Sequence, residues 1–173
     1  RDRGPSRGLG DVYKRQELVF IIASAWKKRG ELTSNTVVGT KMTNLGMRKA
    51  LTDNGMNFIE ADVGDRHVMD HLIKNKAILG GEGSGHIICL NKSTSGDGII
   101  AALQVLEIIA KSGQSLFNLK SEMTKYPQVL INIKTESKVN LNDSKLLELI
   151  GTVESKLTDK GRVLVRKSGT ESL

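Results

Sequence analysis

The chain has 173 residues, which is enough for one domain or a domain and a half with a buried core. Of its net charge of +7, +3 comes from the first 16 residues, which hold five basic and two acidic side chains, and acids and bases are interspersed over the rest of the chain. Aromatic residues make up only 3%, so we expect no nucleic-acid partner. No apolar run approaches the roughly 20 residues of a membrane span, and the single cysteine is typical of a cytoplasmic protein, so we expect no membrane partner and a cytoplasmic location.

The first part of the chain alternates between predicted helices and strands. Residues 1–16 show no periodicity, so we treat them as a disordered or artefactual stretch outside the fold, with a genuine flexible arm as the alternative. Beyond them, apolar spacing and turn residues predict helices over 18–29 and 44–54 and strands over 36–40 and 57–61. This alternation is typical of an α/β layer architecture.

A short polar segment follows the second strand, where Asp65 is placed to cap the next predicted helix. Arg66 lies at this turn and can reach an anionic substrate group; the alternative is a surface ion pair with Asp65 or Glu60. His67 and His71 have a spacing that can chelate zinc, but the sequence indicates no third ligand. We therefore expect no metal site in this chain.

The most distinctive stretch is Gly80-Gly81-Glu82-Gly83-Ser84-Gly85-His86, predicted to be a loop between a third and a fourth strand. Its spacing fits neither the dinucleotide fingerprint nor the P-loop. Its glycines permit backbone geometry that other residues reach only with strain, so three polar side chains can converge on one ligand. Glu82, Ser84 and His86 offer a carboxylate, a hydroxyl and an imidazole, a set that suits a sugar. The alternative is a turn whose polar groups bond only its own backbone.

The rest of the chain divides at a predicted domain boundary near Tyr126. Before it, an apolar helix over 99–110, capped by Asp97, is expected to be buried against the sheet. After it, the pattern predicts a strand, a helix and a second strand, over 129–133, 143–157 and 162–166.

The final loop has donors suited to an anion. Arg166 offers a planar fork of N–H donors to a phosphate. Ser168, Thr170 and the backbone around Gly169 can bond the remaining oxygens. The alternative is a Ser-x-Thr turn without a ligand.

Three of these stretches resemble the α-D-phosphohexomutases, in the order in which that family has them. Residues 81–86 are similar to the family's sugar-binding loop, 63–68 resemble a Val-Gly-Asp-Arg segment of the bacterial phosphoglucosamine mutases, and 162–171 resemble their phosphate-binding loop. The resemblance runs from about Glu17 to Leu173. It indicates a C-terminal fragment similar to a bacterial phosphoglucosamine mutase.

The resemblance implies a fold and a division into domains. Residues 17–125 correspond to the family's third domain, an α/β sugar-binding domain with a mixed sheet flanked by helices. Residues 126–173 correspond to an incomplete α+β C-terminal domain that binds phosphate. The preceding domains of the family are missing, and they are expected partners within the same protein.

The resemblance also implies an activity, the interconversion of glucosamine 6-phosphate and glucosamine 1-phosphate through a bisphosphate and an enzyme phosphoserine. Substrate binding then falls to Glu82, Ser84 and Arg66, and His86 is the candidate acid, base or orienting group. The phosphate-binding residues implied in the same way are Arg166, Ser168, Gly169 and Thr170.

Two elements of the family's chemistry are absent from the sequence. It contains neither the phosphoserine loop nor the aspartate-rich segment that binds Mg²⁺, so Mg²⁺ is expected outside this chain and the chain alone is expected to be inactive. Two alternatives stay open: a fragment of a phosphoglucomutase or phosphomannomutase, and a non-catalytic module that binds a sugar phosphate.

Overall fold

The computed structural model describes residues 15–83, 86–135 and 139–167 of the chain. The chain divides into two compact units between Lys125 and Tyr126. Across the described ranges, no helix combines the length and apolar character that crossing a bilayer requires.

A mixed sheet forms the centre of the first unit. Its described strands are β1 (Thr36–Thr40), β2 (Asn57–Ala61), β3 (Leu79–Gly81) and β4 (Ile87–Cys89), in the spatial order β2-β1-β3-β4. β1 pairs in parallel with β2 and β3, whereas β3 pairs antiparallel with β4. The predicted mixed α/β architecture is confirmed, and β1 and β2 have the bounds that the sequence predicts.

Helices cover both faces of this sheet because its central strand is apolar on both sides. They are α1 (Arg15–Lys28), α2 (Leu45–Asp53), α3 (Asp65–Lys74), α4 (Gly98–Ser112) and α5 (Leu116–Leu119). Successive side chains of a strand point to opposite faces. Val37 of β1 therefore joins the core formed with α1, α2 and α4, whereas Val38 joins a second core with Val68 and Leu72 of α3.

The loops that follow the three parallel strands lie at one edge of the sheet. Because β1, β2 and β3 run in the same direction, the segments that follow them emerge at the same edge. β4 begins at that edge, since Gly81 at the end of β3 pairs with Ile87. The carboxyl ends of parallel strands are where α/β sheets commonly bind ligands.

The helix caps agree with the sequence at α4 and differ from it at α3. Asp97 accepts hydrogen bonds from the backbone N–H groups of Ile99 and Ile100 at 2.8 and 3.1 Å, so the predicted cap is confirmed. The prediction that Asp65 caps α3 is wrong. Gly64 occupies the cap position with a φ of 128°, and Asp65 is the first helical residue. Its carboxylate is used elsewhere.

The predicted burial of α4 is wrong for one of its faces. Val105 and Ile108 lie in the core. Ile99, Leu103 and Leu106, however, are 75%, 55% and 59% exposed. A helix that packs on one side of a sheet buries only the stripe that faces the sheet, and an apolar residue on its outer side stays exposed.

The second unit contains α6 (Ser144–Leu157) and a short 3₁₀ helix (Thr158–Lys160), and its described residues form no strand. The strands predicted over 129–133 and 162–166 are therefore wrong. Val129 and Ile133 are 84% and 79% exposed, too much for the packing that holds a strand in place. Two strands are marginal in water unless they pack against a third strand or a helix, and α6 has no buried residue.

Candidate functional site

The glycines at the end of β3 are required by close packing in the sheet. A Cβ atom on Gly80 would lie 2.9 Å from the carbonyl oxygen of Val38, and one on Gly81 would lie 2.9 Å from the carbonyl oxygen of His86. Neither glycine has a positive φ. At these two positions the predicted unusual backbone geometry is therefore wrong, and the glycines instead allow neighbouring segments to approach closely. Gly85 lies outside the described residues.

Glu82 joins the end of β3 to the loop that follows β2. Its Oε1 accepts a hydrogen bond from the backbone N–H of Gly64 at 2.5 Å. Glu82 is only 7% exposed, so this bond is largely shielded from water. Gly64 has a positive φ, a backbone conformation that favours glycine. The hydrogen bond from Glu82 stabilises the turn that contains it. It thereby positions Asp65 and Arg66 at the start of α3.

His86 pairs with the carboxylate of Asp65. His86 Nδ1 and Asp65 Oδ2 are 2.5 Å apart, and the two side chains are 61% and 45% exposed. In a neutral imidazole this pairing requires the proton on Nδ1, so Nε2 is an acceptor. This pair is not evident from the sequence, because the two residues are 21 positions apart and Asp65 has the position of a helix cap.

The loop before α4 supports His86 from the other side. Ile88 and Gly96 form an antiparallel bridge that brings this loop against β4. A Cβ atom on Gly96 would lie 2.4 Å from His86 Cβ. His86 can therefore occupy this position only because residue 96 is a glycine.

A cavity of about 350 Å³ opens beside this pair. That volume lies within the range of small-molecule sites. Arg66 contributes a guanidinium, His86 an imidazole, and Met69 and Ile88 apolar surface. The residues that line it are Asp65, Arg66, Met69, His86, Ile88, Ser95 and Gly96.

Arg66 does not form the surface ion pair that the sequence left as an alternative. Glu60 pairs with Arg48, and Asp65 pairs with His86. Among the described residues, Arg66 has neither an ion pair nor a hydrogen bond through its guanidinium. A cation at the wall of the cavity is therefore available to an anionic group.

Both the sequence and the fold match known proteins. Residues 14–126 match the family model described as phosphoglucomutase/phosphomannomutase, alpha/beta/alpha domain III. This chain belongs to that family. The phosphoglucosamine mutase of Ruthia magnifica subsp. Calyptogena magnifica is 61% identical over 165 residues, which are 95% of this chain and 37% of that protein. The phosphoglucosamine mutase of Methylococcus capsulatus is 48% identical over the same shares of the two chains, 95% and 37%.

These relatives confirm the resemblance to the bacterial phosphoglucosamine mutases. The chain spans little more than a third of the length of each of the two relatives. Since only 157 residues lie beyond position 16, an alignment of 165 residues includes part of the segment 1–16.

Solved structures of the phosphohexomutases have the same fold. An N-acetylglucosamine-phosphate mutase in its substrate complex matches with a TM-score of 0.75 at 19% identity, over 91% of this chain and 39% of that chain. The Aspergillus fumigatus N-acetylphosphoglucosamine mutase, solved with GlcNAc-6P and magnesium, matches with a TM-score of 0.69 at 18% identity, over 91% and 38%. At such identities the likeness supports the fold alone, and it confirms the predicted phosphohexomutase domain III.

In this phosphohexomutase domain the structure brings part of the predicted site together. Arg66 and His86 line one cavity, and Glu82 is bonded to the turn beside them. Ser84 lies outside the described residues. Arg166 is an exposed residue of the second unit. The other predicted phosphate-binding positions also lie outside the described residues: Ser168, Gly169 and Thr170.

The described residues do not fit a magnesium site. Within 15–83, 86–135 and 139–167, no three His, Cys, Asp or Glu side chains are grouped so that they could hold a metal ion. No chemistry is therefore assigned to a metal held by these residues.

Cys89 is unsuited to chemistry at this site. It lies on β4 and is 2% exposed. Burial raises the pKa of its thiol to about 11, so the thiol is protonated at neutral pH. Because the thiolate is the reactive form of cysteine, Cys89 serves as a packing residue.

Proposed function

We propose that the protein to which this chain belongs is a phosphoglucosamine mutase, which interconverts glucosamine 6-phosphate and glucosamine 1-phosphate. The observation that carries this proposal is the 61% identity over 165 residues to a protein of that name. The geometry supports it, because a cation and an imidazole line one cavity at the ligand-binding edge of an α/β sheet. The family model, which is named for phosphoglucomutase and phosphomannomutase, keeps those two activities as the alternative.

The proposed chemistry is a phosphoryl transfer in two halves. An enzyme phosphoserine outside this chain gives its phosphoryl group to the free hydroxyl of the sugar phosphate. The resulting bisphosphate then turns round and returns its other phosphoryl group to the serine. Positioning and neutralisation of charge supply most of the catalysis in such transfers. The site must therefore hold one sugar in two opposite orientations.

Four residues of the first unit are assigned to the sugar. Glu82 and Ser84 bind hydroxyls that both orientations share. A carboxylate has about four acceptor positions, so Glu82 can bond Gly64 and a sugar hydroxyl together. Arg66 binds an anionic group of the substrate from the wall of the cavity. His86 accepts the proton of the attacking hydroxyl through Nε2, or orients that hydroxyl.

The second unit is assigned to the phosphate that does not react. Arg166 is proposed to bind two of its oxygens with the planar fork of its guanidinium. The hydroxyls of Ser168 and Thr170 and the backbone N–H near Gly169 would bond the remaining oxygens. This assignment rests on the similarity of 162–171 to the phosphate-binding loop of the family.

The proposal also covers what this chain does by itself. The phosphoserine and Mg²⁺ are placed in the part of the protein outside this chain, so the 173-residue chain is proposed to be inactive alone. When bound there, Mg²⁺ would balance the negative charge at the phosphoserine. A single buried cysteine fits the cytoplasmic location proposed for the enzyme.

The test is the substrate preference of the full-length protein. We expect its kcat/KM for glucosamine 6-phosphate to exceed those for glucose 6-phosphate and mannose 6-phosphate by about tenfold or more. The 173-residue chain, assayed in parallel, should show no turnover. A preference for glucose or mannose 6-phosphate would establish the alternative activity, and binding without any turnover in the full-length protein would make it a non-catalytic module.

A further inference from the structure

We infer that Asp65 is a positioning residue for His86. Its carboxylate holds the imidazole in the tautomer with the proton on Nδ1 and thereby presents Nε2 to the ligand as a proton acceptor. The distance of 2.5 Å between Asp65 Oδ2 and His86 Nδ1 is the observation behind this inference. Among the described residues Nε2 of His86 has no hydrogen-bond partner. The role of this tautomer in catalysis rests on the proposed function, whereas the tautomer itself follows from the contact between Asp65 and His86.

The backbone that carries Asp65 is fixed by packing and by a hydrogen bond. Asp65 is the first residue of α3, and α3 is anchored by Val68 and Leu72, which are both fully buried. The turn just before it is tied to Glu82 through the backbone N–H of Gly64. A pair that is held from both sides keeps its geometry without help from the ligand, which is the requirement for preorganisation.

His86 is fixed in a comparable way. The next residue, Ile87, begins β4 and pairs with Gly81. On the other side Gly96 lies so close that no side chain would fit between them. The backbone and Cβ of His86 are therefore held where the imidazole meets the carboxylate of Asp65.

Two structural explanations of the pair fail. Asp65 does not cap α3 with its side chain, since the cap position makes no side-chain hydrogen bond. A surface ion pair between side chains as exposed as these, 61% and 45%, contributes little to stability. What the contact does determine is which ring nitrogen of His86 carries the proton.

That choice matters for a proton transfer to the ring. With Nδ1 protonated and bonded to a carboxylate, Nε2 can take the proton of a substrate hydroxyl. The product of this step is an imidazolium paired with Asp65 and an oxygen that has lost its proton to Nε2. A carboxylate that orients a histidine in this way is familiar from the Ser-His-Asp triad, where its replacement by asparagine leaves the wrong tautomer.

The direct test is nuclear magnetic resonance of the imidazole nitrogens in the complete 173-residue chain, which contains only three histidines. In the unmodified chain we expect the neutral form of His86 to carry its proton on Nδ1. In Asp65→Ala this preference should be lost. In Asp65→Glu, which keeps a carboxylate, it should be at least partly restored.

Asp70→Ala is the matched control, because it removes one negative charge from the exposed side of the same helix. It should leave the His86 tautomer unchanged, and backbone amide spectra of all variants establish that they are folded. An unmodified chain with the proton on Nε2, or an Asp65→Ala chain with an unchanged tautomer, would overturn the inference.

A second measurement separates this inference from the proposed function. In the full-length enzyme Asp65→Ala should lower kcat by about 10- to 100-fold, a part of what acid–base catalysis contributes, with a smaller change in KM. Asp65→Glu should recover part of this loss, and Asp70→Ala should retain full activity. If the full-length protein has no mutase activity, the proposed function fails while the tautomer result stands. If the activity is present and Asp65→Ala leaves kcat unchanged, the positioning role is wrong.

Discussion

The carboxylate of Glu82 accepts a hydrogen bond from the backbone N–H of Gly64 at 2.5 Å, across 18 positions of sequence. This contact links the segments that follow β2 and β3, two strands that are separated in the sheet by β1. Through it, the residue expected to bind the sugar also holds the turn that carries Asp65 and Arg66. A change at Glu82 should therefore also affect Asp65 and Arg66, which line the cavity.

Replacement of Glu82 by alanine should destabilise the first unit. The N–H of Gly64 would lose its acceptor in a partly buried place, so we expect the free energy of unfolding to fall by about 1–3 kcal/mol. Glu82→Gln keeps an acceptor oxygen and should lose less. Urea denaturation followed by circular dichroism measures both changes.

Glu122→Ala is the control for this prediction. Glu122 forms an exposed ion pair with Lys28 at 3.4 Å, and such pairs contribute little. Its loss should change the free energy of unfolding by less than about 0.5 kcal/mol. Equal effects of Glu82→Ala and Glu122→Ala would show that the bond to Gly64 does not stabilise the fold.

Addition of one methyl group at Gly96 should displace the imidazole of His86. The new Cβ would lie 2.4 Å from His86 Cβ, so one of the two residues has to move. We expect the ring resonances of His86 to shift while those of His67 and His71 stay in place. Gly98→Ala is the matched control, since nothing lies within 4 Å of a Cβ at that position. Identical His86 spectra in Gly96→Ala and the unmodified chain would contradict the contact.

Local sequence signals were enough for much of the first unit. The runs 36–40 and 57–61 are short, and a polar residue or a glycine lies within two positions of each end, so their limits were predictable. Asp97 before an apolar run is a helix start, and the structure has the cap there. These features depend on neighbours in sequence, which is why composition and spacing reveal them.

The site itself depends on contacts that no local pattern encodes. The pairing of Asp65 with His86 requires the start of α3 to meet the start of β4. Gly80 and Gly96 cannot carry a side chain because residues distant in sequence lie against them. A run of apolar residues likewise does not say which face of α4 meets the sheet. Long-range packing decides all three, so the sequence alone could name candidates but not their partners.

The second unit illustrates the same limit for strands. The apolar residues of 129–133 have the pattern of a strand, yet all four are exposed and the run forms no strand. α6, whose hydrogen bonds lie within one segment, forms where it was predicted, with Asp143 as its cap. A helix can be read from its own residues, whereas a strand also needs a partner.

A methyl group at Gly46 should destabilise the exit of the chain from the first unit. A Cβ there would lie 1.8 Å from the carbonyl oxygen of Thr124, and backbone has to move to admit it. We expect Gly46→Ala to lower the free energy of unfolding by about 1–3 kcal/mol. Gly98→Ala, also in the first turn of a helix, should be neutral or stabilising by up to about 1 kcal/mol. Urea denaturation of both variants decides the matter, and equal stabilities would refute the predicted clash.

The exposed pair of Lys41 and Asp62 should give a small stabilisation that depends on pH. Nζ and Oδ1 are 2.6 Å apart, and the hydrogen bond between them lowers the pKa of Asp62 and raises the pKa of Lys41. A lowered carboxyl pKa contributes stability above its ordinary value of 3.8, and this is lost as the pH falls through the lowered pKa. A raised lysine pKa contributes below 10.5 and is lost as the pH rises through the raised pKa.

Lys41→Gln should therefore be less stable than the unmodified chain near pH 7, and the difference should disappear in strong acid and in strong alkali. Lys74→Gln, which removes the same charge from the end of α3, is the control and should show a flatter difference with pH. Urea denaturation at a series of pH values measures both. A Lys41→Gln difference that persists at pH 2 would mean that the pair does not cause it.

The thiol of Cys89 should be protected from reagents until the fold opens. It is 2% exposed, and burial raises its pKa to about 11. At pH 8 a reagent therefore cannot reach the sulfur, and almost none of the thiol is in the reactive thiolate form. In the unfolded chain the pKa returns towards the ordinary value of 9.0, and the thiol becomes accessible. We expect an aromatic disulfide reagent to label Cys89 at least about 100-fold faster in concentrated urea than in buffer, since the folded thiol is mostly reached by opening of the fold. Glu82→Ala should raise the labelling rate in buffer, whereas Glu122→Ala should not. Rapid labelling of the unmodified folded chain would show that β4 is not held in the core as the structure has it.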